Sequence, residues 1–224
     1  MIKQIACSLA LPLLTSLPLY SFAAPVTVAT QTNGISEYRD PVVLSTLGMT
    51  NFDDGSLPYE MKLQSNFDTD VNFSTWLGNQ LWVSDVDLSV TLRLGAETFE
   101  QHGKGAVILS STPGGYTQQV FFSTRINSMS VYFENGLTAD QGEAGGDPLA
   151  PRDLNATGSG AGFMTIDALP WNPDDPGYWW MGDGATSSSL VVSSVPEPSQ
   201  WAMMAAGLLA ATVVARRRRQ ACGE

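Results

Sequence analysis

The stretch Ser89-Val-Thr-Leu-Arg-Leu94 alternates strictly, with Val90, Leu92 and Leu94 on one side and Thr91 and Arg93 on the other. A period of two suits a pleated strand with one face buried and one face wet, and it does not suit a helix. Similar β-prone runs follow on both sides: Ala106-Val-Ile-Leu109, Gln119-Val-Phe-Phe-Ser-Thr124, Met129-Ser-Val-Tyr-Phe133, Gly162-Phe-Met-Thr-Ile166 and Leu190-Val-Val-Ser193. Gly, Pro, Asn and Asp separate them, and Thr112-Pro-Gly-Gly115 and Glu134-Asn-Gly136 read as turns. No long segment of helical period lies between Pro25 and Val195. The pattern predicts an all-β domain, an antiparallel β-sandwich of jelly-roll type over residues 24–194.

Two stretches read as irregular. Thr138 to Gly162 is rich in Gly, Ala and Asp and predicts a surface excursion, while Ser187 to Ser194 reads equally as a last strand or as a linker.

The ends differ from this middle. Lys3, the apolar run from Ile5 to Leu19 and Ser21-Phe-Ala23 have the three parts of a secretory signal peptide, predicting residues 1–23 as a leader cut after Ala23 or Ala24. At the other end, Val195-Pro-Glu-Pro-Ser199 leads into an apolar run from Trp201 to Ala215, then Arg216, Arg217, Arg218 and Arg219, then residues 220–224. The prolines favour extended backbone, so a helix is expected from about residue 200 to 215. Fifteen residues give about 22 Å, short of a hydrocarbon core of about 30 Å, which makes it a marginal membrane span. Four consecutive arginines stop transfer, and the positive-inside rule places them in the cytoplasm with the domain outside.

Pro196, Glu197 and Pro198, the short apolar helix and the arginine cluster together resemble the PEP-CTERM sorting tail of Gram-negative bacteria, over residues 195–219. The resemblance implies processing by an exosortase, in organisms that make exopolysaccharide. In that reading Pro196, Glu197 and Pro198 form the recognition motif and Arg216 to Arg219 set its depth in the membrane. Similar tails are also labelled as the C-terminal domain of ice-binding proteins. Ice adhesion needs a flat threonine-rich face, for which Thr30-Gln-Thr32 is too little. The plainer alternative is a stiff spacer before an ordinary single-pass anchor.

Without the two ends, the middle holds 20 acidic residues against 6 basic ones. Such a surface repels nucleic acid and anionic headgroups. Cys7 and Cys222 both lie in the end segments, so the domain has no disulfide and must rely on its core.

Few familiar reaction chemistries remain. The domain's one histidine, His102, lies in the polar Gln101-His-Gly-Lys-Gly105, expected to form a hairpin loop, and no Gly-x-Ser-x-Gly elbow supports a Ser-His-Asp triad. No catalytic residue is assigned. Asp68, Asp70 and Asn72 have the opening spacing of a calcium loop, but Phe73 and Asn79 stand where its glycine and its bidentate glutamate belong. A looser calcium site there, at Asp53-Asp54 or at Asp174-Asp175, competes with solvated acidic turns, and no metal or cofactor is otherwise expected. Paired carboxylates for glycoside hydrolysis are available, but their separation is not legible in one dimension.

The segment Trp171-Asn-Pro-Asp-Asp-Pro-Gly-Tyr-Trp-Trp180 offers aromatic faces beside carboxylates and amides, which suits carbohydrate. Trp171, Tyr178, Trp179 and Trp180 are the candidate platform, with Trp76 and Trp82 as extensions, against the alternative that these rings plug one end of the core. The expected protein is an exported surface or exopolysaccharide-matrix protein with a structural or adhesive role. A carbohydrate-binding module comes second and a secreted hydrolase third. The expected partners are secretion machinery, an exosortase, the membrane and extracellular polysaccharide.

Overall fold

The computed structural model describes residues 25–37, 39–50, 55–72, 74–138, 145–170, 177–182, 185–194, 207–209 and 212. Its strands in chain order are β1 (Val26–Ser36), β2 (Leu57–Phe67), β3 (Ser74–Leu77), β4 (Gln80–Leu94), β5 (Glu97–Thr112), β6 (Gly115–Phe122), β7 (Ser130–Thr138), β8 (Arg152–Thr157), β9 (Gly162–Leu169), β10 (Tyr178–Gly182) and β11 (Ala185–Ser194). One helical turn, α1 (Pro41–Thr46), follows β1; the Asp40 carboxylate accepts from the Val42 and Val43 amides at 2.8 and 3.1 Å to cap it.

All pairings are antiparallel and form one hydrogen-bonded path, β10-β9-β7-β6-β5-β4-β2-β1-β11-β8, with β3 joined to the outer end of β4. The sheet folds over so that the inner faces of β1, β2 and β11 pack against those of β7 and β9. Period-two alternation drives this closure. Tyr59, Met61 and Leu63 of β2, Val90, Leu92 and Leu94 of β4 and Phe133 of β7 are buried in one apolar cluster, while their chain neighbours face out.

A polar seam crosses that apolar interior. The Thr30 hydroxyl of β1 donates to Gln118 Oε1 of β6 at 2.7 Å, and Gln118 Nε2 donates to Ser65 Oγ of β2 at 2.9 Å. Asn135 Nδ2 of β7 donates to the Met61 carbonyl at 3.0 Å. These bonds join strands distant in the sheet, and a slip of one residue would break them and bury unpaired amides. Thr30 and Thr32 both point into this interior, so neither contributes to an outward ice-binding face.

Several sequence expectations are corrected. Glu134-Asn-Gly136 is not a turn but the middle of β7: Asn135 is drawn inward by the seam, and Gly136 makes room for the Phe163 ring, which a Cβ would approach to 2.1 Å. Gln101 to Gly105 is not a hairpin loop but lies within β5, where the outer face is wet and Gly105 lies against the Phe121 carbonyl. The turn joining β4 to β5 instead uses Gly95 at φ 57°. The excursion from Thr138 to Gly162 contains β8, a strand that pairs with β11, and Ser187 to Ser194 is strand, not linker.

Candidate functional site

Two outward surfaces differ in how their polar groups are used. On the outer face of β11, β1, β2 and β4, side chains bond to one another. Thr27 Oγ1 donates to Asn66 Oδ1 at 2.7 Å, Gln31 Nε2 to Glu60 Oε1 at 2.9 Å, and Asn33 Nδ2 to Ser187 Oγ at 3.0 Å. Lys62 and Arg93 both reach Glu60, at 2.6 and 3.3 Å. An open hollow of about 370 Å³ lies here over the short Ala29, Ser89 and Ser189 side chains. It adjoins a second, of about 440 Å³, which Asp87, Ser89 and His102 share.

The register thus brings His102 beside Ser89, with Asp87 next to both. Among the described residues no hydrogen bond joins the imidazole to either one, and Asp87 is held instead by Lys104 at 3.1 Å. A nucleophile needs a base within hydrogen-bond reach and a third group orienting that base; here only the residue types coincide.

The second surface is the outer face of β10, β9, β7 and β6, continued across β5 to Trp82 of β4. Register places Phe121, Tyr132, Asp167 and Trp179 in one line across β6, β7, β9 and β10. Beside it runs a second line of Gln119, Glu134 and Thr165. Trp82 of β4 meets the Phe121 ring edge-on, with centroids 5.3 Å apart and planes at 68°, and Phe121 lies 5.1 Å from Tyr132. All are half-buried except Trp179, which is 58% exposed. Burial holds the Glu134 carboxyl above its ordinary range, with Asp167 adding repulsion, and burial likewise raises Asp167. Among the described residues, neither carboxylate has an ion-pair or hydrogen-bond partner.

The expected platform divides across this sheet. Trp179 faces outward, but Trp180 is fully buried on the inner side, where its indole N–H donates to Ser36 Oγ at 3.0 Å. Tyr178 packs against the core from the same inner side. Successive strand residues point to opposite faces, so consecutive aromatics do not form one platform. Trp180 and Tyr178 have the core-plugging role, while Trp171, Asp174 and Asp175 lie outside the described residues. Trp82 lies on the outer face as an extension, whereas Trp76 pairs with Leu81 and takes the opposite one. The sequence reading missed Phe121, Tyr132, Glu134 and Asp167, whose proximity depends on strand order.

Of the calcium candidates, Asp68 and Asn72 are engaged with the protein through their side chains and Asp70 through its backbone amide. Asp68 Oδ1 accepts from the Asp70 amide at 2.8 Å, Asn72 Oδ1 accepts from the Asp68 amide at 2.8 Å, and Asn72 Nδ2 donates to the Asp85 carbonyl at 2.7 Å. Asp85 is the bulge residue of β4, at φ 59°, so Asn72 secures a strained turn. Among the described residues no three His, Cys, Asp or Glu side chains converge as metal ligands. Asp53 and Asp54 lie outside the described residues.

The described part of the tail consists of Gly207, Leu208, Leu209 and Thr212, all helical, with Thr212 Oγ1 donating to the Leu209 carbonyl at 2.7 Å. Among the described residues no helix is long and apolar enough to cross a membrane. Pro196, Glu197, Pro198, Arg216, Arg217, Arg218 and Arg219 lie outside them.

Fold and sequence together define an antiparallel all-β domain followed directly by a sorting segment. The family model of the PEP-CTERM protein-sorting motif matches residues 194–219, and the chain carries that motif. The motif implies an exported protein processed by an exosortase. No curated protein matches the chain. Among solved structures, an acetoacetate decarboxylase-like enzyme from Sphingomonas wittichii RW1 is 11% identical over 77% of this chain and 91% of that one. Its TM-score of 0.19 is too low to carry a functional argument.

Proposed function

We propose that this is a cell-surface or exopolysaccharide-matrix protein of a Gram-negative bacterium, with a structural or adhesive role and no catalytic one. In this reading residues 1–23 are a cleaved signal peptide. A helix over about 200–215 tethers the domain to the inner membrane, and the exosortase then releases it. The folded-over sheet serves as a sandwich-like ectodomain, and the reading needs no cofactor.

The sorting motif at residues 194–219, beginning at the last residue of β11, is the observation that carries it. Processing would therefore act next to the boundary of the all-β unit. On the outer face of β11, β1, β2 and β4 the polar groups bond to one another and the His102 imidazole lacks a hydrogen-bonded partner among the described residues, which favours a passive role for that face over a hydrolytic one.

Expression of the tagged chain in a host with and without its exosortase tests the proposal. A shortened product is expected outside the inner membrane only when the enzyme is present, and Glu197→Ala should leave the full-length chain in the membrane. Equal shortening in both hosts would reduce the tail to an ordinary anchor.

A further inference from the structure

We propose that the outer face of β6, β7, β9 and β10 binds a neutral polysaccharide, whose pyranose rings stack on Phe121, Tyr132 and Trp179 while its hydroxyls donate to Glu134 and Asp167. This surface is separate from the Trp171-to-Trp180 segment, sharing with it only Trp179, and it deepens the adhesive reading above by naming what is bound.

Three observations converge. The first is the alignment: one line of three aromatics and a carboxylate lies beside one line of amide, carboxylate and hydroxyl. A pyranose has apolar C–H faces and a hydroxyl rim, so it needs rings and hydrogen-bonding groups interleaved at this scale. From β6 to β10 the face crosses three strand spacings, about 14 Å, which is room for two or three sugar units. The second is preorganisation. Trp82, Phe121 and Tyr132 brace one another at centroid distances of 5.3 and 5.1 Å, so little side-chain freedom is lost on binding.

The third is the state of the polar groups. On the opposite outer face amides, hydroxyls and carboxylates bond to each other. Among the described residues, the polar side-chain atoms of Gln119, Tyr132, Glu134, Thr165 and Asp167 have no hydrogen-bond or ion-pair partner, although each residue is half-buried. Half-buried acceptors without partners lose hydration and gain nothing from the protein, an arrangement suited to a ligand that supplies donors. The charge selects among polymers. The outer positions of β6, β7, β9 and β10 contain two carboxylates and no Lys, Arg or His, on a domain of 20 acidic and 6 basic residues, so a uronate-rich chain is repelled.

The processed protein recovered from culture is run through native gels containing a β-glucan, a galactomannan or, as the polyanion, alginate. Recovery of that product scores processing beforehand, so failure of the sorting reading and failure of this one are distinguishable. At least one neutral polymer should retard the protein and alginate should not. Trp179→Ala and Tyr132→Ala should each weaken retention about tenfold. Val191→Ala, on the opposite outer face, should leave it unchanged. Trp179 is exposed, so an unchanged melting temperature in that variant separates lost binding from misfolding.

Retardation by none of the neutral polymers, or retention unaffected by both aromatic variants, would overturn the proposal. So would a concentration-dependent dimer in sedimentation that Trp179→Ala dissolves, since the occupant would then be a second copy of the chain. Release of reducing ends, abolished by Glu134→Gln, would make the carboxylate pair catalytic and refute binding alone.

Discussion

At the scale of single residues, two adjacent tryptophans have opposite duties. Trp180 is fully buried and hydrogen-bonded to Ser36, so Trp180→Ala should cost about 3–5 kcal/mol in urea unfolding. Trp179→Ala, at an exposed position, should stay within about 0.5 kcal/mol of the parent. Glu134 sets a pH dependence whose sign is fixed by its burial. Its folded pKa lies above the ordinary 4.5, so the folded state holds its proton more tightly than the unfolded chain does. An acid shifted in this direction contributes stability that is present below the unfolded pKa and lost as pH rises through the folded one. Melting temperature should therefore fall as pH is raised from 4.5 through the window above it, and Glu134→Gln should flatten that slope. A slope unchanged by the substitution would place its origin elsewhere, Asp167 being shifted in the same direction.

At the scale of elements, alternation was the legible signal, while turn chemistry held at Thr112–Gly115, which joins β5 to β6, and failed at Glu134–Gly136. Each run picked out by its period, from Ser89–Leu94 to Leu190–Ser193, lies in a strand, with only the margins of two runs extending beyond one. Strand β2 alternates as strictly, with Tyr59, Met61 and Leu63 inward, but Pro58 and the polar Ser65 at a core position mask it. Strand β8 has small and polar residues because it lies at the sheet edge, where apolar content is not demanded. Asn135-Gly136 carries turn residues for a packing reason, one amide for the seam and one missing Cβ for Phe163, and local sequence cannot separate these uses. Gly105 is the sharper test of such close approach. An added Cβ would lie 2.1 Å from the Phe121 carbonyl and 2.6 Å from Leu88, so backbone must move. Gly105→Ala should destabilise by about 1–3 kcal/mol in denaturant titration. It should also disturb the Trp82–Phe121 contact, readable as a change in tryptophan fluorescence.

At the scale of the whole molecule, the candidate site was the least legible feature. Trp82, Phe121, Tyr132, Asp167 and Trp179 come from five strands, and only the β10–β9–β7–β6 order brings the last four into line. Residues close in the chain, Trp179 and Trp180, are separated by the sheet itself. The sorting motif was legible because it acts as a contiguous peptide and needs no fold to assemble it. The same contrast predicts independent behaviour: substitutions on the aromatic face should leave exosortase processing intact, and Glu197→Ala should leave the face intact.

The pairing of Val26 with Ser194 joins the first residue of the sheet to the last. Strand β11 is also an inner strand, held by β1 on one side and β8 on the other. The last of the described strands therefore completes the sheet, and its partner β1 has one side open until β11 arrives. In the proposed topology the leader and the tether leave the domain side by side, so a newly exported molecule hangs from the bilayer by a double stalk. In that proposed topology signal-peptide removal would leave one strand of the stalk, and the exosortase would cut the other.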